Sequence, residues 1–342
     1  MQRSRSVTAV TRVMAEAARR WLQVLLLLSL LASSGCAWLD ARQRQLIYRP
    51  TLGTPAQLTD LRAGDEHYFI DMPAQGPTAN NAQRIELWWL PHPDTEAPTL
   101  LYLHGTFRTL PQNGTKIEAL REAGFAVLAV EYRGWGLSTA ITPSEQSLLQ
   151  DADAVWAELE RREPRASRRV IYGHSMGSGI AVDLASRLRA PQDYGALILE
   201  SAFTSFADVA SEASFVASLL LQFNNERFAS IDKIARVHAP LLMIHGSADT
   251  TIPMRLGRRL YAAANPPKRW LAIEGGAHSD LQDVGRGPYQ ATLRHFKSDY
   301  LSGPIAQSHG EPTAPAAAAL MRTQCPASPA PAPLAHWPHC HQ

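Results

Sequence analysis

The chain has 342 residues, 45% of them hydrophobic types, enough to build one large core. Its 33 Lys and Arg against 31 Asp and Glu leave a formal net charge of +2. Outside the N-terminus the basic residues are scattered, so the chain carries no electrostatic footprint for nucleic acid.

In chain order, the first signal is for export. Arg19 and Arg20 precede an apolar run over residues 21–32, shorter than the ~20 residues a membrane span needs. Ser33-Ser34-Gly35-Cys36 follows and resembles a bacterial lipobox, whose cysteine becomes the diacylated first residue of the mature protein. Ser33 stands where that motif usually carries leucine. The expectation is a lipoprotein-type signal over residues 1–35 and a bacterial membrane-anchored protein facing the periplasm or the exterior. An ordinary cleaved signal and an uncleaved anchor fit the same segment. A start at Met14 gives the signal an n-region of ordinary length, whereas Met1 leaves a long one.

Residues 36–302 then alternate strand and helix patterns. Strands are predicted over 84–90 and 99–103, the second running into His104-Gly105-Thr106. A helix over 116–123 is stopped by Gly124, which takes the left-handed conformation at low cost. The next strand covers 125–130. From 145 to 160, Leu148, Leu149, Ala152, Val155, Trp156 and Leu159 recur at helical spacing and would pack on the sheet. Further strands fall at 170–172, 196–199, 241–244 and 270–273. Such alternation implies an α/β fold: a mostly parallel sheet with helices on both faces.

Three of those strands end in residues that carry chemistry. Gly173-His174-Ser175-Met176-Gly177 follows the strand at 170–172 and opens a helical pattern, so Ser175 sits on a sharp strand-to-helix turn. The glycines are needed because a Cβ two positions to either side of Ser175 would strike the neighbouring strand or helix. Beyond the strand at 241–244, His245-Gly246-Ser247-Ala248-Asp249 places a carboxylate in the loop. Beyond the strand at 270–273, Gly276-Ala277-His278-Ser279-Asp280 places a histidine. Glu200 is the rival acid, and Asp280 is expected to cap the following helix. His104 and His174 read as packing residues of their loops rather than proton carriers.

With Glu131-Tyr132-Arg133-Gly134-Trp135-Gly136-Leu137-Ser138 and Pro143-Ser144-Glu145, these motifs resemble an α/β-hydrolase over residues 46–300. More narrowly they are similar to the bud-emergence-related branch, which includes membrane-associated serine hydrolases and resembles protein depalmitoylases. The resemblance implies Ser175 as nucleophile, His278 as base and Asp249 as the acid that orients it, in the chain order Ser, Asp, His. It implies an oxyanion hole from the backbone N–H groups of Thr106 and Met176. Where the branch usually has a glycine-rich turn after the His-Gly pair, this chain has Phe107 and Arg108, and Arg108 could meet an anionic part of a substrate. A short cap insert is expected between 201 and 237, where Phe203, Phe206, Phe215, Leu219, Leu220, Leu221 and Phe223 could line an acyl pocket or pack as a helix on the sheet.

The function implied is a serine hydrolase of carboxylic esters, with thioesters and amides open, acting through an acyl-enzyme and needing no cofactor or metal. The alternatives are a non-catalytic binding protein on a hydrolase scaffold and an acyltransferase. The expected partners are a small-molecule acyl substrate and, through lipidated Cys36, a membrane. From 303 to 342 the chain is rich in Pro and Ala and cannot bury enough apolar area to fold. Cys325 and Cys340 in that tail could pair in an oxidising compartment. His336, His339, Cys340 and His341 lack the paired spacing of a zinc site.

Overall fold

The structure is a computed structural model that describes residues 61–72, 82–213 and 226–301, with 38–53 and parts of 19–35. It divides into Met1–Gly303 and Pro304–Gln342, the latter outside the described residues, as are Cys36, Met14, the tail cysteines and the stretch 214–225. Among the described residues no helix is long and apolar enough to cross a membrane.

The described sheet has eight strands in the order β1-β2-β4-β3-β5-β6-β7-β8. These are β1 (Glu66–Asp71), β2 (Arg84–Leu90), β3 (Thr99–Leu103), β4 (Ala126–Glu131), β5 (Arg169–His174), β6 (Ala196–Glu200), β7 (Leu241–Gly246) and β8 (Lys268–Ile273). β2 is antiparallel to both β1 and β4, and the remaining pairs are parallel. The mostly parallel sheet read from the sequence is therefore present. β1 was not legible there, because its side chains are only half buried and its pattern is mixed. The helix ahead of β4 runs Gly114–Glu122, and Gly124 takes φ 92° just beyond it.

Strand periodicity sorts the core into two layers. Leu101, Leu128, Ile171, Leu197, Leu199 and Met243 pack on one face, against the helices Glu145–Arg162, Met176–Arg187 and Met254–Ala263. Leu100, Val127, Val170, Ile198, Leu242 and Ile244 alternate with them on the other face, against the helices Gly114–Glu122 and Arg286–Leu301. Because β4 lies on one side of β3 and β5 on the other, the loops leaving β3 and β5 diverge. Their separation opens a crevice at the carboxyl edge of the sheet.

A charged cluster is buried beneath that edge. Lys116 Nζ pairs with Glu200 and donates to Gln282 Oε1 at 2.8 Å, while the hydroxyls of Tyr172 and Tyr289 donate to Glu200 Oε2 at 2.6 and 2.9 Å. Burial alone would push the Glu200 carboxyl up, but the Lys116 ammonium, the His174 ring and the Tyr172 hydroxyl hold its pKa below the ordinary value. Removing one member of a buried pair strands the other without solvation. Lys116→Met is expected to destabilise the fold by about 3–5 kcal/mol in urea unfolding, and the double variant Lys116→Met/Glu200→Gln to recover most of that loss.

Candidate active site

β5 ends at His174 and the helix Met176–Arg187 begins two residues on, so Ser175 alone makes the corner, at φ 55° and ψ −124°. A residue with a Cβ held there costs on the order of 1–3 kcal/mol, which the surroundings must offset. The Ser175 N–H donates to the Glu200 carbonyl at 3.0 Å, and the Ser175 carbonyl accepts from the Ser178 N–H at 2.8 Å and its hydroxyl at 2.6 Å. The flanking glycines allow this approach. A Cβ on Gly173 would sit 2.3 Å from the Gly177 carbonyl oxygen, and one on Gly177 2.0 Å from that of Leu103.

Ser175, Asp249 and His278 meet at the carboxyl edge. His278 Nε2 lies 2.8 Å from Ser175 Oγ, and His278 Nδ1 lies 2.8 Å from Asp249 Oδ2. The other Asp249 oxygen accepts the N–H groups of Thr251 and Ile252 at 2.9 and 2.8 Å, which fixes the carboxylate plane. Burial would raise the Asp249 pKa, but His245, His278 and the Ile252 N–H hold it well below the usual carboxylate range. An ionised Asp249 that accepts at Nδ1 leaves Nε2 as the lone pair facing the serine hydroxyl. Glu200, the rival acid, is consumed by Lys116, Tyr172 and Tyr289 and does not reach the imidazole.

The loop around His278 is braced by residues that sequence reasoning had treated as packing or passed over. The His278 carbonyl accepts His174 Nε2–H at 2.9 Å and the Ser201 hydroxyl at 3.2 Å. His245 donates to the Ile252 carbonyl at 2.8 Å and lies 3.5 Å from Asp249 Oδ2. Asp280 departs from its expected role. It precedes the helix Leu281–Val284, yet its side chain makes no cap there and instead accepts the Ala277 N–H at 2.7 Å. The tight loop claims the carboxylate, and the Asp280 backbone carbonyl receives the N–H groups of Asp283 and Val284, both at 2.9 Å.

Thr106 and Met176 both border the space in front of Ser175, and among the described residues neither backbone N–H has an acceptor. The Trp135 indole N–H donates to the Thr106 carbonyl at 2.9 Å and so holds the Thr106–Phe107 peptide, the unit next to the one that carries the Thr106 N–H. Trp135 lies in the segment 131–138. The same segment anchors itself through Arg133 Nε to Asp151 at 2.6 Å and through Glu131 Oε2, which accepts the Leu110 N–H at 2.7 Å. His104, fully buried, has Nδ1 2.6 Å from the Gly105 carbonyl and Nε2 3.1 Å from Glu131, consistent with a scaffold role.

On one side of Ser175 opens a cavity of about 190 Å³ walled by Ile47, Phe203, Phe206, Val209, Ala210 and Ile252. Phe203 and Phe206 thus line an apolar space, while Phe215, Leu219, Leu220, Leu221 and Phe223 lie outside the described residues. On the other side a recess of about 30 Å³ reaches His174, His278, Asn113 and the exposed Arg108. A larger cleft of about 450 Å³ flanks the helix Gly114–Glu122 and contains none of these residues. Its arginines are already paired: Arg62 with Glu118, Arg121 with Asp65, and Arg286 with Glu122. Among the described residues no group of acidic, His or Cys side chains could hold a metal ion.

A serine on a strand-turn-helix corner, with histidine and acid following from later strands of one sheet, is the arrangement that defines an α/β-hydrolase. A family model described as serine aminopeptidase, S33, matches residues 95–232. The uncharacterized protein Rv2307c of Mycobacterium tuberculosis is 34% identical over 282 residues, covering 82% of this chain and 96% of that protein. The lysophosphatidylserine lipase ABHD12 of Rattus norvegicus is 32% identical over 224 residues, which are 59% of this chain and 55% of that protein. Among solved structures, the Pyrococcus furiosus esterase Pf2001 shares the fold at a TM-score of 0.57 and 17% identity, covering 74% of this chain and 98% of that one. The chain belongs to the α/β-hydrolase superfamily.

The bond from His174 to the His278 loop needs a proton on Nε2, and a second proton would sit on Nδ1, which is buried with no hydrogen-bond partner. Burial first, and the nearby Lys116 charge second, lower the His174 pKa to about 3 from an ordinary 6.5. The unfolded chain therefore takes up a proton below pH 6.5 that the folded chain refuses until about pH 3. The stabilisation is complete above pH 6.5 and is lost as pH falls through that window. His174→Gln, which keeps an N–H donor but does not titrate, is expected to flatten the fall in stability between pH 7 and 4 by up to about 1 kcal/mol per pH unit. Urea unfolding across that range measures it.

Proposed function

We propose that this protein is a serine hydrolase of carboxylic esters, and that thioesters and amides are accessible to the same chemistry. The observation that carries this reading is the continuous contact from Ser175 Oγ to His278 Nε2 and from His278 Nδ1 to Asp249, 2.8 Å at each step. As Ser175 attacks an acyl carbonyl, His278 takes the hydroxyl proton and then delivers it to the leaving group. Asp249 holds the ring's tautomer and stabilises the imidazolium. The Thr106 and Met176 N–H groups receive the oxyanion, one such donor being worth about 10²–10³ in rate. Water activated by His278 then releases the acyl group from Ser175. The apolar cavity beside Ser175 suits the acyl chain, and the polar recess with Arg108 suits the leaving group. Membership of the bud-emergence-related branch is part of the same proposal, supported by the segment 131–138, whose Trp135 holds the Thr106 carbonyl.

Fluorophosphonate labelling tests the nucleophile. The wild-type protein is expected to label and to hydrolyse a short p-nitrophenyl ester, and Ser175→Ala to lose the label and at least about 10³-fold in kcat. Labelling that persists in the variant would move the nucleophile elsewhere. Product analysis with alcohol and amine acceptors separates hydrolysis from acyl transfer.

The proposal also places the protein on a bacterial membrane, facing the periplasm or the exterior, through lipid on Cys36. Small residues before that cysteine and the apolar run before them support the reading. Mass spectrometry of the mature N-terminus is expected to find an acyl-modified Cys36, and an unmodified terminus further downstream refutes the anchor.

A further inference from the structure

Residues 38–48 form a helix whose inner side is fixed to the domain. Tyr48 is buried among the rings of Trp135, Phe206 and Phe228 and donates to Glu226. Ile47 supplies part of the wall of the cavity beside Ser175. The helix is therefore part of the site's mouth and cannot swing freely away from it.

Its outer side is different in kind. Trp38, Leu39, Arg42, Gln45 and Leu46 are all exposed, and their three- and four-residue spacing puts them on one stripe, with exposed Arg49 just past the helix end. Leu52 and Phe107 continue it past the helix end, with the Arg49 guanidinium 4.9 Å over the Phe107 ring. Trp38, Leu39, Leu46, Leu52 and Phe107 are between 48 and 71% exposed. No carboxylate interrupts the stripe: Asp40 lies off it and is paired with Arg44. An apolar row of this kind, continuous with the rim of a cavity, is seldom left facing water without use.

We propose that this stripe rests on an anionic phospholipid bilayer and turns the mouth of the Ser175 cavity toward the leaflet, so that the acyl substrate is drawn from the membrane. The choice of occupant follows from the chemistry of the row. A tryptophan and four leucine or phenylalanine side chains match the boundary of headgroup and acyl chain. Arg42 and Arg49 in the same row complement lipid phosphates. The substrate half of the proposal rests on the ester-hydrolase reading above, and the surface half does not.

The full chain should be mixed with vesicles of phosphatidylglycerol and acyl-brominated phosphatidylcholine, beside its Trp38→Phe variant. Greater quenching of tryptophan fluorescence in the wild type than in the variant is expected, and a smaller difference after Arg42→Glu. Leu39→Glu/Leu46→Glu is expected to lower the rate on a long-chain ester embedded in those vesicles about tenfold and to leave turnover of soluble p-nitrophenyl acetate unchanged. Equal quenching of wild type and Trp38→Phe overturns the surface. Loss of soluble-ester turnover in step with the embedded ester makes the stripe a folding element and overturns it too. A dimer in sedimentation that the double variant converts to monomer assigns the stripe to a second copy of the chain instead. Wild-type protein inert toward the soluble ester would sink the hydrolase reading, while the quenching difference would still decide the surface.

Discussion

One corner of backbone governs the rest of this molecule. Ser175 is held at positive φ between a strand and a helix that must nearly touch, and the hydroxyl projects into the crevice only because that corner is sharp. Everything nearby serves it. Gly173 and Gly177 yield the space, the Glu200 carbonyl grips the Ser175 N–H, and Ser178 closes the first turn of the helix. The strain is local, and the compensation is spread over three neighbouring strands.

Beneath the corner lies an ionic arrangement that links those strands. Glu200 at the end of β6 meets Lys116 from the helix Gly114–Glu122, the tyrosines of β5 and the C-terminal helix, and through its own carbonyl the Ser175 N–H. His174, next to Ser175 in the chain, reaches across to the carbonyl of His278. Serine and histidine are thus coupled twice: directly through their side chains, and indirectly through a buried histidine that stays neutral. The His278 backbone is held by His174 of β5 and by Ser201 just beyond β6, while the imidazole is oriented by Asp249.

The crevice also has an asymmetry with chemical meaning. Its apolar wall is assembled from the N-terminal helix, the segment after β6 and the loop after β7. The neighbouring recess is walled by the loop after β3, with Arg108 and Asn113, and by His174, His278 and Ser279. A substrate with a greasy half and a polar half would lie across Ser175 with each half in a matching environment. The helix that contributes Ile47 to the apolar wall also carries the exposed tryptophan and leucines, so one element faces both the site and the surroundings.

Much of this was legible along the chain. Alternating apolar runs gave strands β2 to β8 within a residue or two, because a strand buried on both faces must be apolar throughout and short. The glycines around Ser175 announced the corner, since only a sharp turn needs both. Asp249 and His278 were readable as residues just past strand ends. Their meeting was implied only by the resemblance to α/β-hydrolases, because sequence separation alone says nothing about which strand ends lie side by side. The same gap hid the use of His174, Ser201, His245 and Trp135, whose partners are 104, 77, 7 and 29 residues away. It also left Asp280 assigned to a helix cap, when the fold gave its carboxylate to the loop before it. The sequence by itself determined the strand-and-helix alternation and the residues at the strand ends, since these follow from local pattern and turn chemistry. Only the tertiary structure decided which of those residues touch, how each is oriented and which side of the N-terminal helix stays bare, because such facts depend on the order of strands in the sheet.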